Sequence, residues 1–145
     1  MMAVDVREVL ADPAQGGAYF VDARESAALA DAADALDFRV AHIDLAGCND
    51  KDSVLRAFAT AMRFPQWFGG NFDALADSLG DLSWLSAEGY LLLLEHSEAW
   101  READDENFAI LLDILNEAAV TWGDQGVPFW ALIPLPQEQL EKLAF

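Results

Sequence analysis

The chain has 145 residues, of which 54% are hydrophobic, and it carries 26 acidic against 8 basic residues for a formal charge of −18. That is long and apolar enough for a single folded domain, and the apolar content excludes a disordered chain. The charge excludes direct nucleic-acid binding and docking on anionic membranes, both of which need a basic footprint, and it favours a cationic partner.

From the N-terminus, "MMAVDVREVL" has no basic start followed by an apolar run, so no signal peptide is expected. The longest apolar runs fall far short of the roughly 20 residues of a membrane span, and the expectation is a soluble, cytoplasmic protein, most simply a monomer. "AYFVDA" (Ala18–Ala23) reads as a short strand, and the alanine-rich stretch after it as a helix from about Ser26 to Leu36. "RVAHIDLA" (Arg39–Ala46) has the β-branched, apolar look of a buried strand. Cys48 is the single cysteine and forms no internal disulfide; no Cys/His signature surrounds it. Asn49 or Asp50 then caps a helix whose apolar positions are Val54, Leu55, Phe58 and Met62.

The next stretch, "FPQWFGGNFDALADSLGDLSW", carries the chemistry. Asn71 is placed to cap a two-turn helix, with Phe72, Leu75, Ala76 and Leu79 on one face, Asp73 and Asp77 on another, and Gly80 at its end. The helix dipole accounts for Asp73 in the first turn, worth about 0.3–1 kcal/mol at an exposed site. It does not account for Asp77, which repels Asp73 at i,i+4 by a few tenths of a kcal/mol. No Lys or Arg lies between Phe64 and Trp100 to answer these charges. Trp67 and Phe68, followed by Gly69 and Gly70, set large aromatics and an open backbone turn beside the acids, as interface hot spots do.

"YLLLLEH" (Tyr90–His96) and "FWALIPL" (Phe129–Leu135) read as buried strands, separated by a long helix that ends near Gly123. On that helix Asp113 and Glu117 flank the apolar face at i,i+4, and Glu117 joins Asp73 and Asp77 in one patch if the two helices pack side by side. Buried strands alternating with helices imply an α/β fold with a small, mainly parallel sheet.

The run Trp67–Phe68–Gly69–Gly70–Asn71–Phe72–Asp73–Ala74–Leu75–Ala76–Asp77 resembles the signature of the barstar family, inhibitors of small bacterial ribonucleases, and the downstream strand, helix and strand follow in that family's order. The resemblance spans roughly Val40 to Leu135. It implies a barstar-like domain over 40–145 preceded by a strand–helix extension over 1–39, no catalysis, and neither cofactor nor metal. It also implies a one-to-one complex with a basic ribonuclease or nuclease toxin, whose active site the acidic helix plugs. Asp77 would face the enzyme's cationic phosphate site, with Asp73 beside it and Glu117 as the acidic contact from the later helix. Trp67, Phe68, Gly69 and Phe72 would shape the contact, and Asn71 would anchor the turn. The chain departs from the family pattern at Ala76, between the two aspartates, where a member can carry a large aromatic, and at Gly70 before Asn71, which is not an acid.

Three other readings stand beside this one. Paired acids could serve a glycosidase, but that chemistry needs a cleft. A metal site could gather His96, Glu95, Glu98 and the acids from Glu102 to Glu106, although no ligand motif repeats there. The third is an acidic interaction module, or nucleic-acid mimic, acting on a basic partner that is not a nuclease.

Overall fold

A computed structural model describes residues 6–65 and 69–143. In chain order the elements are α1 (Val6–Leu10), β1 (Gly17–Asp22), α2 (Ser26–Ala35), β2 (Arg39–Asp44), α3 (Lys51–Ala61), α4 (Phe72–Asp81), β3 (Tyr90–Glu95), α5 (Glu98–Ala103), α6 (Asp105–Asp124), β4 (Phe129–Leu135) and α7 (Gln137–Leu143). The four strands form one sheet in the order β1-β4-β3-β2. Every pairing is parallel, with Arg39 opposite Tyr90, Tyr90 opposite Phe129 and Gly17 opposite Trp130. The helical crossovers that parallel pairing demands are supplied by α2, by α3 with α4, and by α5 with α6.

Strand side chains alternate between two cores, as the pleat requires. Tyr90, Leu92 and Leu94 join Phe129, Ala131, Ile133 and Leu135 against Leu55, Phe58, Leu75, Leu79, Trp100 and Leu115 from α3 to α6. Leu91, Leu93, Trp130 and Leu132 face the other way, where Leu10, Ala30, Ala33 and Phe38 cover them. Burial on both faces explains why β3 and β4 read as unbroken apolar runs. The Trp130 indole N–H donates to the Leu10 carbonyl at 2.9 Å and ties α1 to this second face. The described residues before β2 therefore contribute an edge strand to the sheet and a helical layer on its back. The boundary expected at 39/40 falls at the start of β2. No helix among the described residues is long and apolar enough to cross a membrane.

The expected helix after Asn49–Asp50 is capped by Asp50, whose carboxylate accepts the Ser53 N–H at 2.8 Å. Cys48 is buried in the first core. The short helices α1, α5 and α7 were not expected from the sequence.

Candidate functional site

The acidic helix forms where its cap predicts. Asn71 is extended (φ −134°, ψ 172°) and its Oδ1 accepts the Ala74 N–H at 2.7 Å, satisfying a first-turn donor that has no helical partner. Gly69 and Gly70 precede it, both exposed. Gly70 has φ +69°, the left-handed region where a side chain is strained, so any other residue there would cost backbone energy in this chain. Trp67 and Phe68 lie outside the described residues.

Gly80 does not end α4. The helix continues through Asp81, and Leu82 turns the chain at φ +47° while its N–H donates to the Ser78 carbonyl at 3.1 Å. Leucine tolerates this left-handed position because its side chain is completely buried, and packing there offsets the backbone strain. The one residue beyond Gly80 brings a third carboxylate into the helix, so Asp73, Asp77 and Asp81 follow one another at i,i+4, all exposed.

The opposite face is locked down. Leu75 and Leu79 are fully buried, and Phe72 and Ala76 are half-buried against the same core. The Trp122 indole of α6 donates to the Leu79 carbonyl at 2.7 Å, and the Trp84 indole to the Met62 carbonyl at 3.1 Å, pinning both ends of the segment that holds α4. Neither tryptophan was picked out from the sequence, although Trp122 falls seven residues after Leu115 and so shares its helical face. Lys51, at the start of α3, lies 5.8 Å from the Phe72 ring centroid, close enough for a cation–π contact. It was missed because nothing in the linear order brings the first turn of α3 to that of α4.

Among the described residues no Lys or Arg is within ion-pair distance of Asp73, Asp77 or Asp81. The carboxylates are displayed on a rigid support without an ion-pair partner among the described residues; the helix dipole accounts for Asp73 in the first turn but not for Asp77 or Asp81. The α4 and α6 helices do pack together, as the patch reading required. Glu117 is exposed on the outer side of α6, in a shallow groove of about 530 Å³ shared with Asp113, Asn116, Val120 and Thr121. No α4 residue lines that groove, and Glu117 stands on the helix packed against α4.

The residues weighed for a metal site assemble differently. His96 Nδ1 is 2.8 Å from Asp44 Oδ1, and His42 Nδ1 is 3.0 Å from Glu95 Oε1, two exposed cross-strand pairs at the β2–β3 edge. Among the described residues no group of three or more His, Cys, Asp or Glu side chains is gathered for a metal ion. Donation of the ring N–H to the Asp44 carboxylate holds the His96 imidazole above its ordinary pKa. The Asp44 carboxyl is held below its ordinary value, first by the Ala46 N–H and then by His96.

A family model described as Barstar (barnase inhibitor) matches residues 38–134, from the end of the N-terminal layer to the last residues of β4. No curated protein matched the chain. Among solved structures, a chain in the "Structure of Drosophila ORC bound to DNA" is similar with a TM-score of 0.53 and 17% identity, over 92% of this chain and 37% of that one. This chain thus spans little more than a third of that chain's length, and the likeness shows the fold alone.

Proposed function

Since the chain belongs to the barstar family, whose model covers residues 38–134, we propose that it binds a small basic ribonuclease or related nuclease toxin one to one and blocks its active site with the acidic face of α4. The observation that carries this reading is the unpaired row Asp73, Asp77 and Asp81 on a helix whose other face is fixed in the core. An enzyme that binds a polyanion concentrates cations where phosphates sit, and a helix that exposes carboxylates at turn spacing can occupy those positions. Uncompensated acids make no intramolecular pair that must break before docking, so the new charge pairs are formed without that cost.

In this reading Asp77 is the central contact and Asp73 its neighbour, and Glu117 adds a peripheral charge from α6. Gly69, Phe72, Ala76 and the aromatics Trp67 and Phe68 shape the surface around them, and Asn71 keeps α4 in register. Ala76 presents less surface than the aromatic that a member can carry there, which favours a partner other than the archetypal ribonuclease. The stretch before residue 40 is an N-terminal extension of the inhibitor domain, its β1 joined to the same sheet, and the inhibitor acts in the cytoplasm as an antitoxin.

The test is a pull-down from the host's lysate at moderate salt, with wild type and Asp77→Ala as parallel baits and mass spectrometry of what each retains. A small basic nuclease held by wild type and lost from the variant is the expected result. Retention of the same partner by both baits, or of non-nucleases alone by wild type, would overturn the reading.

A further inference from the structure

The two edges of the sheet differ. At the β1 edge α6 packs against the strand, and Asn116 Oδ1 accepts the Ala18 N–H at 2.9 Å. At the β2 edge the ladder itself shows which groups are left over. The Arg39 N–H donates to the Gly89 carbonyl and the Leu45 N–H to the Glu95 carbonyl, both at 2.8 Å, so the odd-numbered residues of β2 bond to β3. In a parallel pair the alternate residues point the other way, and β2 is the outer strand, so the backbone groups of Val40, His42 and Asp44 face outward. Among the described residues none of these N–H groups meets an acceptor. Side chains that could screen the edge lean back over the sheet instead. His42 Nδ1 lies 3.0 Å from Glu95 Oε1 on β3, and Asp44 Oδ1 lies 2.8 Å from His96 Nδ1. An edge with free backbone groups at every second residue, and neither bulge nor proline, is a template for one more strand.

We propose that β2 takes up an extended segment of another protein in which Val or Ile alternates with Lys or Arg. The backbone dictates the extended form, since a strand matches donors and acceptors spaced two residues apart. The alternation follows from the pleat and from the side chains at the edge. On the back face the added side chains would lie beside His42 and Asp44, with Glu95 one strand further in. Oδ2 of Asp44 and Oε2 of Glu95 accept nothing among the described residues, and no Lys or Arg there is within ion-pair distance of either carboxylate. On the other face the neighbours are Ala41 and Ile43, both buried in the first core. A second copy would bring the same carboxylates of two chains of charge −18 together, so the occupant is a different chain. None of these residues belongs to the acidic helix α4, which makes the edge independent of the inhibitory reading.

The test uses a synthetic peptide of strictly alternating Val and Lys and two N-methylated forms of it, one methylated on the lysine backbone nitrogens and one on the valine nitrogens. Each is titrated into the full-length protein by fluorescence anisotropy. All three carry the same charge, so attraction to a chain of charge −18 is equal for them. An added strand bonds through one of its own edges, with the lysine N–H groups if it runs antiparallel to β2 and with the valine N–H groups if it runs parallel. One methylated form should therefore bind at least about tenfold more weakly than the parent peptide while the other matches it. His42→Pro removes an outward N–H without breaking a bond to β3 and should weaken the parent peptide by about tenfold or more, whereas His42→Ala should not weaken it. Asp77→Ala should leave binding unchanged. Circular dichroism verifies the fold of the variants, and the methylated pair needs no change in the protein. Equal binding of the two methylated forms, full affinity in a folded His42→Pro variant, or a loss with Asp77→Ala would overturn the proposal. So would a peptide-free dimer in sedimentation that His42→Pro dissociates, since the occupant would then be a second copy.

Discussion

At the scale of single residues, the site combines one structural anchor with charges that the fold does not need. Asn71→Ala removes the acceptor for the Ala74 N–H and should lower stability by about 1 kcal/mol, read as a lower urea midpoint at unchanged slope. Asp77→Ala should leave stability unchanged or raise it by a few tenths of a kcal/mol, because it relieves repulsion with Asp73. The same change should weaken nuclease binding by about 2 kcal/mol or more, the threshold for an interface hot spot. The opposite behaviour of these neighbours separates a supporting residue from a contacting one. The Asp44–His96 pair makes a pH prediction of fixed sign. A histidine whose folded pKa is raised adds stability that is fully present below its unfolded value, about 6.5, and is lost as pH rises through the folded value. The Asp44 contribution, from a lowered pKa, is lost at the acid end. Wild type should therefore lose, between pH 6 and pH 8 or so, a small increment of stability that His96→Ala lacks, checked by thermal melts of both proteins across that window. The cap and the carboxylate face were legible because both are local: one depends on a side chain three residues from its target, the other on helical spacing. The end of α4 was not, because burial of Leu82 overrides the preference for glycine at the turn.

At the scale of elements, the two helices α4 and α6 pack side by side. Leu79 is fully buried, and its carbonyl takes the Trp122 indole N–H at 2.7 Å. Leu79→Ala should cost about 2–5 kcal/mol through the cavity it leaves, measured by denaturant unfolding. Trp122→Phe should cost less, about 1–3 kcal/mol, by leaving the Leu79 carbonyl without its donor, and hydrogen exchange should quicken in α4 before it does in the sheet. The long elements were legible from apolar periodicity, which α6 sustains over 20 residues. The helices α1, α5 and α7 have only five to seven residues, too few turns for a period to emerge from composition. The packing of α4 beside α6, which sets Glu117 on the helix next to the aspartates, is a tertiary fact that spacing within either helix does not contain.

At the scale of the whole molecule, the sheet is buried on both faces, and the strands themselves announced this through runs such as "YLLLL" and "FWALIPL". The strand order β1-β4-β3-β2 was legible only in part: the unbroken apolar runs of β3 and β4 mark the interior, but nothing local says which edge β1 and β2 take. With Leu91, Leu93, Trp130 and Leu132 covered by the N-terminal layer, a chain beginning at Phe38 should expose that face and aggregate, as size-exclusion chromatography would show. A monodisperse, folded fragment would show instead that the layer is dispensable. A formal charge of −18 surrounds the acidic helix with a long-range negative field, so association with a cationic enzyme should be fast at low salt and slow by about tenfold or more as salt is raised. The central claim is inhibition, and its most direct measurement titrates the activity of the nuclease retained by the wild-type bait against wild type and Asp77→Ala. Activity that vanishes at one equivalent of wild type, and survives one equivalent of the variant, is the predicted result. A nuclease that stays fully active while bound to saturating wild type would contradict it: the acidic helix would then grip its partner without closing the active site.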